Sequence, residues 1–364
     1  MSLVVCQSSL LPIRAENDEL VKYAPPAYKR EIVNKAGRKL AGDDSVPLDR
    51  DAAIAIVHSW RLGHNRPLNS MYMSLKGRAP KVGKSAIVAQ RLKRLESIEA
   101  KLSRGEVEKL TQIQDIGGCR VVFPTLAQVQ TFAQRCSAHS HTFEYSKKFK
   151  DYIQAPKATG YRSYHIIYQY ISDDESYDGL KVELQIRTRL QHMWATAVET
   201  VSTFSRLPLK SGGIDVDPDW SRFFALASGA FAAWEKTPGV PNTPSVDDDL
   251  RDELRALASR LKVGDVLNAW RTALKVLPSQ KVKDTIAYML TLDVASQTFR
   301  YKPLKEVDLP AAETERLQTE KTTGSDVVIV RVGSMSNLKK AYPNYFADTQ
   351  EFITALRAAV GGDI

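Results

Sequence analysis

The sequence is poor in cysteine and in long apolar runs, and each shortage argues against a class of protein. Its 364 residues contain three cysteines and no CxxC pair, which argues against a disulfide framework and a four-ligand zinc site. No apolar run approaches the roughly 20 residues that a membrane helix needs. No basic residue precedes the short apolar stretch at the N-terminus, unlike in a signal peptide. We therefore expect a cytoplasmic protein without a membrane partner.

Acidic residues are outnumbered by basic ones only in the first part of the chain. The formal net charge is +9. Residues 1–210 carry 32 Lys and Arg against 21 Asp and Glu, whereas residues 211–364 carry 19 against 21. Excess positive charge favours a polyanionic partner such as a nucleotide or RNA. A basic surface that only keeps the protein soluble explains the excess equally well.

Hydrophobic periodicity predicts helices alternating with strands. The helical segments are 51–62, 126–138 and 191–204, and the strand segments are 119–124, 161–171 and 181–188. A polar turn with Gly179 suits a hairpin between the last two strands. Residues 85–104 are a basic amphipathic stretch with polar breaks, and within it residues 91–101 predict a loop that leads into a helix. This order is typical of an α+β domain with a central sheet.

A proline-rich stretch divides the chain. Residues 236–245 contain three prolines and a glycine, which is typical of a linker. Beyond it, leucines at helical spacing predict a helix, alternating residues predict two strands, and the end of the chain predicts another helix. We therefore predict four parts, which are an N-terminal extension at 1–50, a main domain at 51–235, a linker at 236–246 and a small α+β domain at 247–364.

Two acidic residues stand at predicted sheet positions. Asp115 precedes two glycines and a strand, and Glu183 lies in a strand on the face opposite Val182 and Leu184. Two carboxylates placed in this way can share Mg²⁺ and leave room for substrate phosphates. The alternative is that Glu183 simply faces solvent.

Cations and aromatic rings are concentrated in residues 150–165, KDYIQAPKATGYRSYH. Lys150 and Lys157 can neutralise phosphates, and Gly160 permits unusual backbone angles. Tyr161 can then present its ring to an unstacked base. The alternative is a hairpin held by aromatic packing.

Four separated motifs, in the right order, resemble the synthetase domain of RelA/SpoT proteins over about residues 50–206. They are RLKRLESIEAK at 91–101, DIGGCR at 115–120, the 150–165 segment and VELQIRT at 182–188. The resemblance implies a nucleotidyltransferase-like mixed sheet flanked by helices. It also implies that the β,γ-diphosphate of ATP moves to a ribose hydroxyl of an acceptor, with release of AMP.

The same resemblance assigns roles to individual residues. Asp115 and Glu183 are implied to bind Mg²⁺, and Glu183 is also the candidate base for the attacking hydroxyl. The residues implied to bind ATP are Arg91 and Arg120, on the adenine, and Lys93, Ser97 and Lys101, on the phosphates. The residues implied to bind the acceptor are Lys150, Lys157, Tyr161, His165, Gln185, Arg187 and His192, with Tyr161 stacked on the acceptor base.

One position departs from the family pattern. Small alarmone synthetases typically carry an Asn that reads guanine at the position that His192 occupies here. The resemblance therefore leaves the acceptor open between a guanosine nucleotide and tRNA.

The end of the chain resembles the CapRel group of fused toxin–antitoxin proteins, through the YxxY pattern Tyr342-Pro-Asn-Tyr345. This resemblance implies diphosphate transfer to the 3′ CCA end of tRNA by a toxin domain at 51–235. It implies a pseudo-zinc-finger antitoxin domain at 247–364 that places both tyrosines against the adenine site, and a phage capsid protein as activator. Taken alone, YxxY is often just two packed tyrosines.

Three functions remain open at this point. The first is an autoinhibited ATP:tRNA pyrophosphokinase in phage defence, with Lys76, Arg78, Lys81 and Lys84 as candidate tRNA contacts. The alternative is a guanosine-nucleotide pyrophosphokinase that makes the alarmone (p)ppGpp. The third is a catalytically dead RNA-binding module, against which the intact Asp115 and Glu183 argue. We expect neither an upstream hydrolase domain nor a ribosome-associated regulatory region at the C-terminus.

Overall fold

The computed structural model describes residues 24–136, 142–204, 217–245, 248–268, 284–293, 298–323, 326–331 and 345–361. Helices and strands alternate through these stretches, which confirms the predicted mixed α+β class. No helix in this part of the chain has the length and apolar character that crossing a bilayer requires.

A five-stranded mixed sheet carries the first part of the fold, in the order β1-β2-β5-β4-β3. The strands are β1 Ile87–Leu92, β2 Gly117–Phe123, β3 Phe143–Asp151, β4 Tyr164–Tyr170 and β5 Lys181–Thr188. β2 and β5 run parallel, and the other neighbours are antiparallel. The turn between β4 and β5 uses Gly179 at a φ of 70°, a conformation that glycine adopts without strain.

Five helices pack with this sheet around one hydrophobic core. They are α1 Arg30–Leu40, α2 Arg50–Gly63, α3 Asn65–Arg78, α4 Leu95–Ser103 and α5 Leu126–Cys136. The carboxylate of Asp49 accepts from the backbone N–H of Ala52 and so caps α2. Arg78, one of the candidate RNA contacts, lies over the ring of Phe132 and donates to the carbonyl of Arg135. These contacts give Arg78 a packing role at the end of α3.

A second hydrophobic core is formed by helices that lie before and after the proline-rich stretch in the sequence. Further helices in the described residues include α6 Arg189–Phe204, α7 Pro218–Trp234, α8 Asp248–Arg260, α9 Leu309–Thr323 and α10 Tyr345–Val360. Buried residues of α6, α7, α8 and α10 form a single cluster, in which Phe352 of α10 touches the rings of Phe223, Phe224 and Phe231 of α7. The boundaries drawn at 236–246 stay a prediction, and this core includes residues on either side of them.

A small three-stranded sheet lies between α8 and α10 in the sequence. Its strands are β6 Ala287–Asp293, β7 Thr298–Leu304 and β8 Asp326–Arg331, in the antiparallel order β7-β6-β8, and α9 packs on it. Likeness to a pseudo-zinc finger stays a prediction. Tyr342 lies outside the described residues, and the side chain of Tyr345, at the start of α10, is not described either.

Two strands of the main sheet are not predicted from the sequence. No strand is predicted within residues 85–104, but the structure forms β1 there, before α4. Likewise, β3 is unpredicted, and it contains the first two residues of the 150–165 segment. Both strands are edge strands with polar, partly exposed residues, so their apolar alternation is weak.

Candidate active site

One face of the five-stranded sheet is polar. Alternation along β5 buries Val182, Leu184 and Ile186 on one side of the sheet. Glu183, Gln185 and Arg187 therefore point to the other side. This face collects most of the residues that the family resemblance singles out.

Strand pairing aligns these residues in two rows across the sheet. In the first row, Arg91 of β1 lies opposite Gly118 of β2, which in turn lies beside Glu183 of β5. The second row consists of Arg120, Gln185, His165 and Lys150. Because Gly118 has no side chain, space remains between Arg91 and Glu183. An open pocket lies at this point, lined by Ala89, Gln90, Arg91, Gly118, Cys119, Arg120 and Gln185.

Asp115 lies just before β2 and is held by two lysines. Lys93 Nζ is 2.6 Å from one carboxylate oxygen and Lys101 Nζ is 3.3 Å from the other. Burial acts to raise the pKa of Asp115, and so does the nearby charge of Glu183, but the two lysines outweigh both and lower it. Asp115 is therefore ionised at neutral pH. Its lysines come from both ends of the RLKRLESIEAK motif, at the end of β1 and on α4.

Glu183 accepts hydrogen bonds at both carboxylate oxygens. His165 Nδ1 lies 3.0 Å from Oε1, and Gln185 Nε2 donates to Oε2 at 2.7 Å. Burial acts to raise the pKa of Glu183, but the charges and hydrogen bonds of His165, Gln185 and Arg91 lower it to about 2. Since Glu183 only accepts, His165 donates from Nδ1, and its Nε2 lies 2.7 Å from the hydroxyl oxygen of Tyr161.

The two carboxylates fit a divalent cation that arrives with a phosphate chain. Both are ionised, and Glu183 is close enough for its charge to act on the pKa of Asp115. In the described part of the chain, no group of three or more His, Cys, Asp or Glu side chains is placed to hold a metal ion. Mg²⁺ commonly binds through one or two carboxylates together with substrate phosphates, so this donor set suits it.

Tyr161 lies in the loop between β3 and β4, the 152–163 loop, and is held by its hydroxyl. Arg187 Nη2 donates to it at 2.6 Å, and the Arg187 guanidinium lies 5.1 Å from the ring centroid. Lys157 Nζ lies 5.7 Å from the same centroid and 4.7 Å from that of Tyr152. Burial raises the pKa of Tyr161, so the hydroxyl stays protonated. Stacking of this ring on an acceptor base stays a prediction.

His192 lies away from solvent, on α6, and is engaged by the C-terminal helix. Its Nε2 is 3.0 Å from a carboxylate oxygen of Asp348 on α10, and Asp348 also pairs with Arg189 at 2.9 Å. His192 is 3% exposed and Asp348 is 0% exposed. Burial, and then the charges of Arg120 and Arg187, lower the pKa of His192 to about 4 despite the pull of Asp348. In this arrangement the side chain of His192 is closed off from solvent, with Asp348 of α10 at its Nε2.

Ser97 and Lys101 lie one turn apart on α4, on the same side of the helix. Ser97 is exposed, and so are Lys150 and Lys157. The roles of these residues and of Arg91 on phosphates or bases therefore stay predictions.

Sequence reasoning missed a buried polar cluster behind the loop. Arg162 is 2% exposed and pairs with Glu235, which lies just after α7. The two are separated by 73 positions, so no local pattern could connect them. The only sequence signal is a charged residue next to Tyr161 inside the 150–165 segment.

The chain matches known proteins in the region of this face. Residues 90–204 match the family described as "Region found in RelA / SpoT proteins". Two relatives from Bacillus subtilis are the GTP pyrophosphokinase YwaC, 34% identical over 112 residues, and the GTP pyrophosphokinase YjbM, 31% identical over 112 residues. These alignments cover 29% and 30% of this chain, and the chain spans about half, 52%, of each relative.

Solved structures give similar matches. The small alarmone synthetase 1 from Bacillus subtilis, bound to its product pppGpp, is 25% identical with a TM-score of 0.41. That alignment covers 48% of this chain and 89% of the other. Asp115, Glu183 and the 152–163 loop all fall within the family match. Residues 90–204 of this chain are therefore similar to the region found in RelA/SpoT proteins.

Proposed function

We propose that the chain transfers the β,γ-diphosphate of ATP to a hydroxyl of a guanosine nucleotide. The observation that carries the proposal is the pair of ionised carboxylates, Asp115 and Glu183, beside two lysines and a pocket lined by two arginines. Phosphoryl-type transfer needs positioning and charge neutralisation more than covalent chemistry, and this arrangement supplies both. The names of the two Bacillus relatives support a guanosine acceptor.

The residues divide the work by position. Arg91 and Arg120 would bind the adenine, and Lys93 and Lys101 the phosphates. Asp115 and Glu183 would hold Mg²⁺, which when bound neutralises charge on the transferred phosphates.

The reaction itself exchanges one phosphorus–oxygen bond for another. The acceptor oxygen forms a bond to the β-phosphorus, and the bond from that phosphorus to the oxygen bridging to the α-phosphate breaks, so AMP leaves. The proton of the acceptor hydroxyl passes to a base, for which Glu183 is the candidate. With a pKa of about 2, Glu183 suits cation binding better than strong proton abstraction.

A labelling assay tests the proposal. The protein is incubated with γ-labelled ATP and, separately, GDP, GTP or deacylated tRNA, and the labelled product is identified. We expect label on GDP or GTP together with release of AMP. As a matched control, α-labelled ATP should put label only in AMP, because the α-phosphate stays with the leaving group. ATP left intact with all three acceptors, also after excision of residues 269–344, would contradict the proposal and favour a dead RNA-binding module.

One observation favours a second candidate, transfer to the 3′ CCA end of tRNA by a CapRel-like fused toxin–antitoxin. His192 replaces the Asn expected of a guanine reader, and it is occupied by Asp348. A protein that does not read guanine has no need of a free side chain at this position. The basic first part of the chain also suits an RNA acceptor. In the labelling assay, label on tRNA and not on GDP or GTP would select this candidate.

The second candidate carries its own prediction about control. We expect the double variant Tyr342→Ala and Tyr345→Ala to make expression toxic, because the rings would no longer cover the adenine site. The matched control, Tyr342→Phe with Tyr345→Phe, keeps both rings and should stay harmless. Growth of the expressing host measures the effect, and a harmless double alanine variant would remove autoinhibition by these tyrosines. Activation by a phage capsid protein belongs to the same candidate.

A further inference from the structure

A buried ion pair fastens the 152–163 loop to the end of α7, outside the family match at 90–204. Arg162 Nη1 lies 2.6 Å from Glu235 Oε2, and the two side chains are 1% and 7% exposed. Burying two charges costs free energy unless close geometry and further hydrogen bonds compensate. Those further hydrogen bonds connect the pair to the elements around it.

Glu235 accepts hydrogen bonds from residues at the end of β5 and the start of α6. The Thr188 hydroxyl donates to Glu235 Oε1, and Gln191 Nε2 donates to Oε2 at 3.0 Å. Thr188 directly follows Arg187, whose guanidinium holds the Tyr161 hydroxyl. The carboxylate therefore joins the loop, β5, α6 and α7 at one point.

Ser228, on α7, links Arg162 to the turn before Tyr161 through two hydrogen bonds. It accepts from Arg162 Nε at 3.1 Å and donates to the carbonyl of Gly160 at 2.6 Å. Gly160 has a φ of 87°, and a Cβ there would lie 2.9 Å from the carbonyl oxygen of Phe224. The backbone of the loop is thus shaped by the surface of α7.

Residues on either side of Arg162 point into the site. Tyr161 bonds Arg187 Nη2, and Ser163 accepts from Arg187 Nε at 3.3 Å. Arg162 itself points the opposite way, into α7. A shift of Arg162 would therefore move Tyr161 and Ser163 together.

We infer that Arg162, Glu235 and Ser228 are positioning residues, which set the 152–163 loop for the acceptor without touching either substrate. The inference rests on the proposed function for the role of Tyr161 at the acceptor. It makes α7 part of acceptor binding, although α7 lies outside the RelA/SpoT region.

Kinetics of two variants test the inference. Glu235→Gln removes the charge at constant size, and Ser228→Ala removes only the hydroxyl. For each variant, the KM for the acceptor is measured with GDP, or with deacylated tRNA if that is the acceptor labelled by the wild type. We expect this KM to rise about tenfold, because small displacements of positioning groups carry large kinetic costs. The KM for ATP should stay within about twofold, since the pocket proposed for adenine lies mainly on β1 and β2.

A matched control comes from the same helix. Arg222 of α7 makes a two-bond ion pair with Glu253 of α8, at 2.6 and 2.7 Å, away from the loop. Glu253→Gln should change neither KM. If Glu235→Gln fails to fold, Ser228→Ala carries the test.

Amide hydrogen exchange adds an arm that needs no substrate. The N–H of Lys157 bonds the carbonyl of Tyr161, and the N–H of Gly160 bonds that of Lys157. Both amides should exchange faster in Glu235→Gln and Ser228→Ala than in wild type, and at the wild-type rate in Glu253→Gln. Unchanged exchange, or equal rises in both KM values, would overturn the inference. Faster exchange in a protein that transfers no diphosphate would overturn the proposed function alone.

Discussion

Replacement of Glu183 by glutamine is expected to reduce diphosphate transfer by about 10³-fold or more. The amide keeps the size of the side chain but removes the charge, and its single oxygen can accept from only one of His165 and Gln185. Loss of a charged group that acts on the transition state costs 10² to 10³ in rate in many enzymes, as an order of magnitude. If Glu183 also binds the cation, as proposed, the loss should lie at the upper end of that range. The release of AMP from ATP in the presence of the acceptor measures the rate.

A second carboxylate in the same sheet provides the control. Glu144 lies exposed on β3, on the far edge of the sheet from Arg91. Glu144→Gln should keep the wild-type rate, and both variants should melt within a few degrees of wild type. A Glu183→Gln protein that retains activity within about tenfold of wild type would show that this carboxylate is not part of the reaction.

Replacement of Phe352 by alanine is expected to lower the free energy of unfolding by about 3 to 5 kcal/mol. Phe352 is fully buried, and its ring centroid lies 5.9 Å from that of Phe231 and 6.2 Å from that of Phe224. The alanine variant leaves a cavity between α10 and α7. Urea unfolding followed by circular dichroism measures the change.

Thr354, on the same helix, supplies the comparison. Its side chain is exposed and bonds only within α10, to the carbonyl of Gln350 at 3.0 Å. Thr354→Ala should therefore change the unfolding free energy by about 0.5 kcal/mol or less. If Phe352→Ala costs no more than this control, α10 does not pack on α7 in solution, and the burial of His192 by Asp348 fails with it.

The strands that the sequence predicts are those with buried residues. β2, β4 and β5 are interior strands whose apolar runs reveal them, and β5 shows clean alternation around Glu183. β1 and β3 form the edges. β3 consists mostly of charged and polar residues, and the apolar residues of β1 do not alternate with polar ones. Register follows from tertiary pairing, so no local rule could align Arg91, Gly118 and Glu183.

Motifs in the sequence identify the polar face, but they do not reveal what surrounds it. The acidic residues and lysines of the RelA/SpoT region come from short stretches whose order is visible in the chain. The partners of Arg162 and His192 come from much later in the sequence, at Glu235 and Asp348. Such pairs form only when helices from the second core pack against the loop and α6, and sequence spacing contains no information about that packing.

The three-stranded sheet lies between two core helices in the sequence, and this limits how it can be removed without damage to the core. Helices on both sides of it, α8 and α10, belong to the same core, with Leu254 and Leu356 both fully buried. A stop codon placed before α10 would remove apolar residues from that core and expose the apolar residues that pack against them. An internal deletion between residues 269 and 344, bridged by a short spacer, would instead remove the sheet together with α9 and keep α6, α7, α8 and α10. Excision, and not truncation, is therefore the way to measure what the sheet and α9 contribute to the proposed activity.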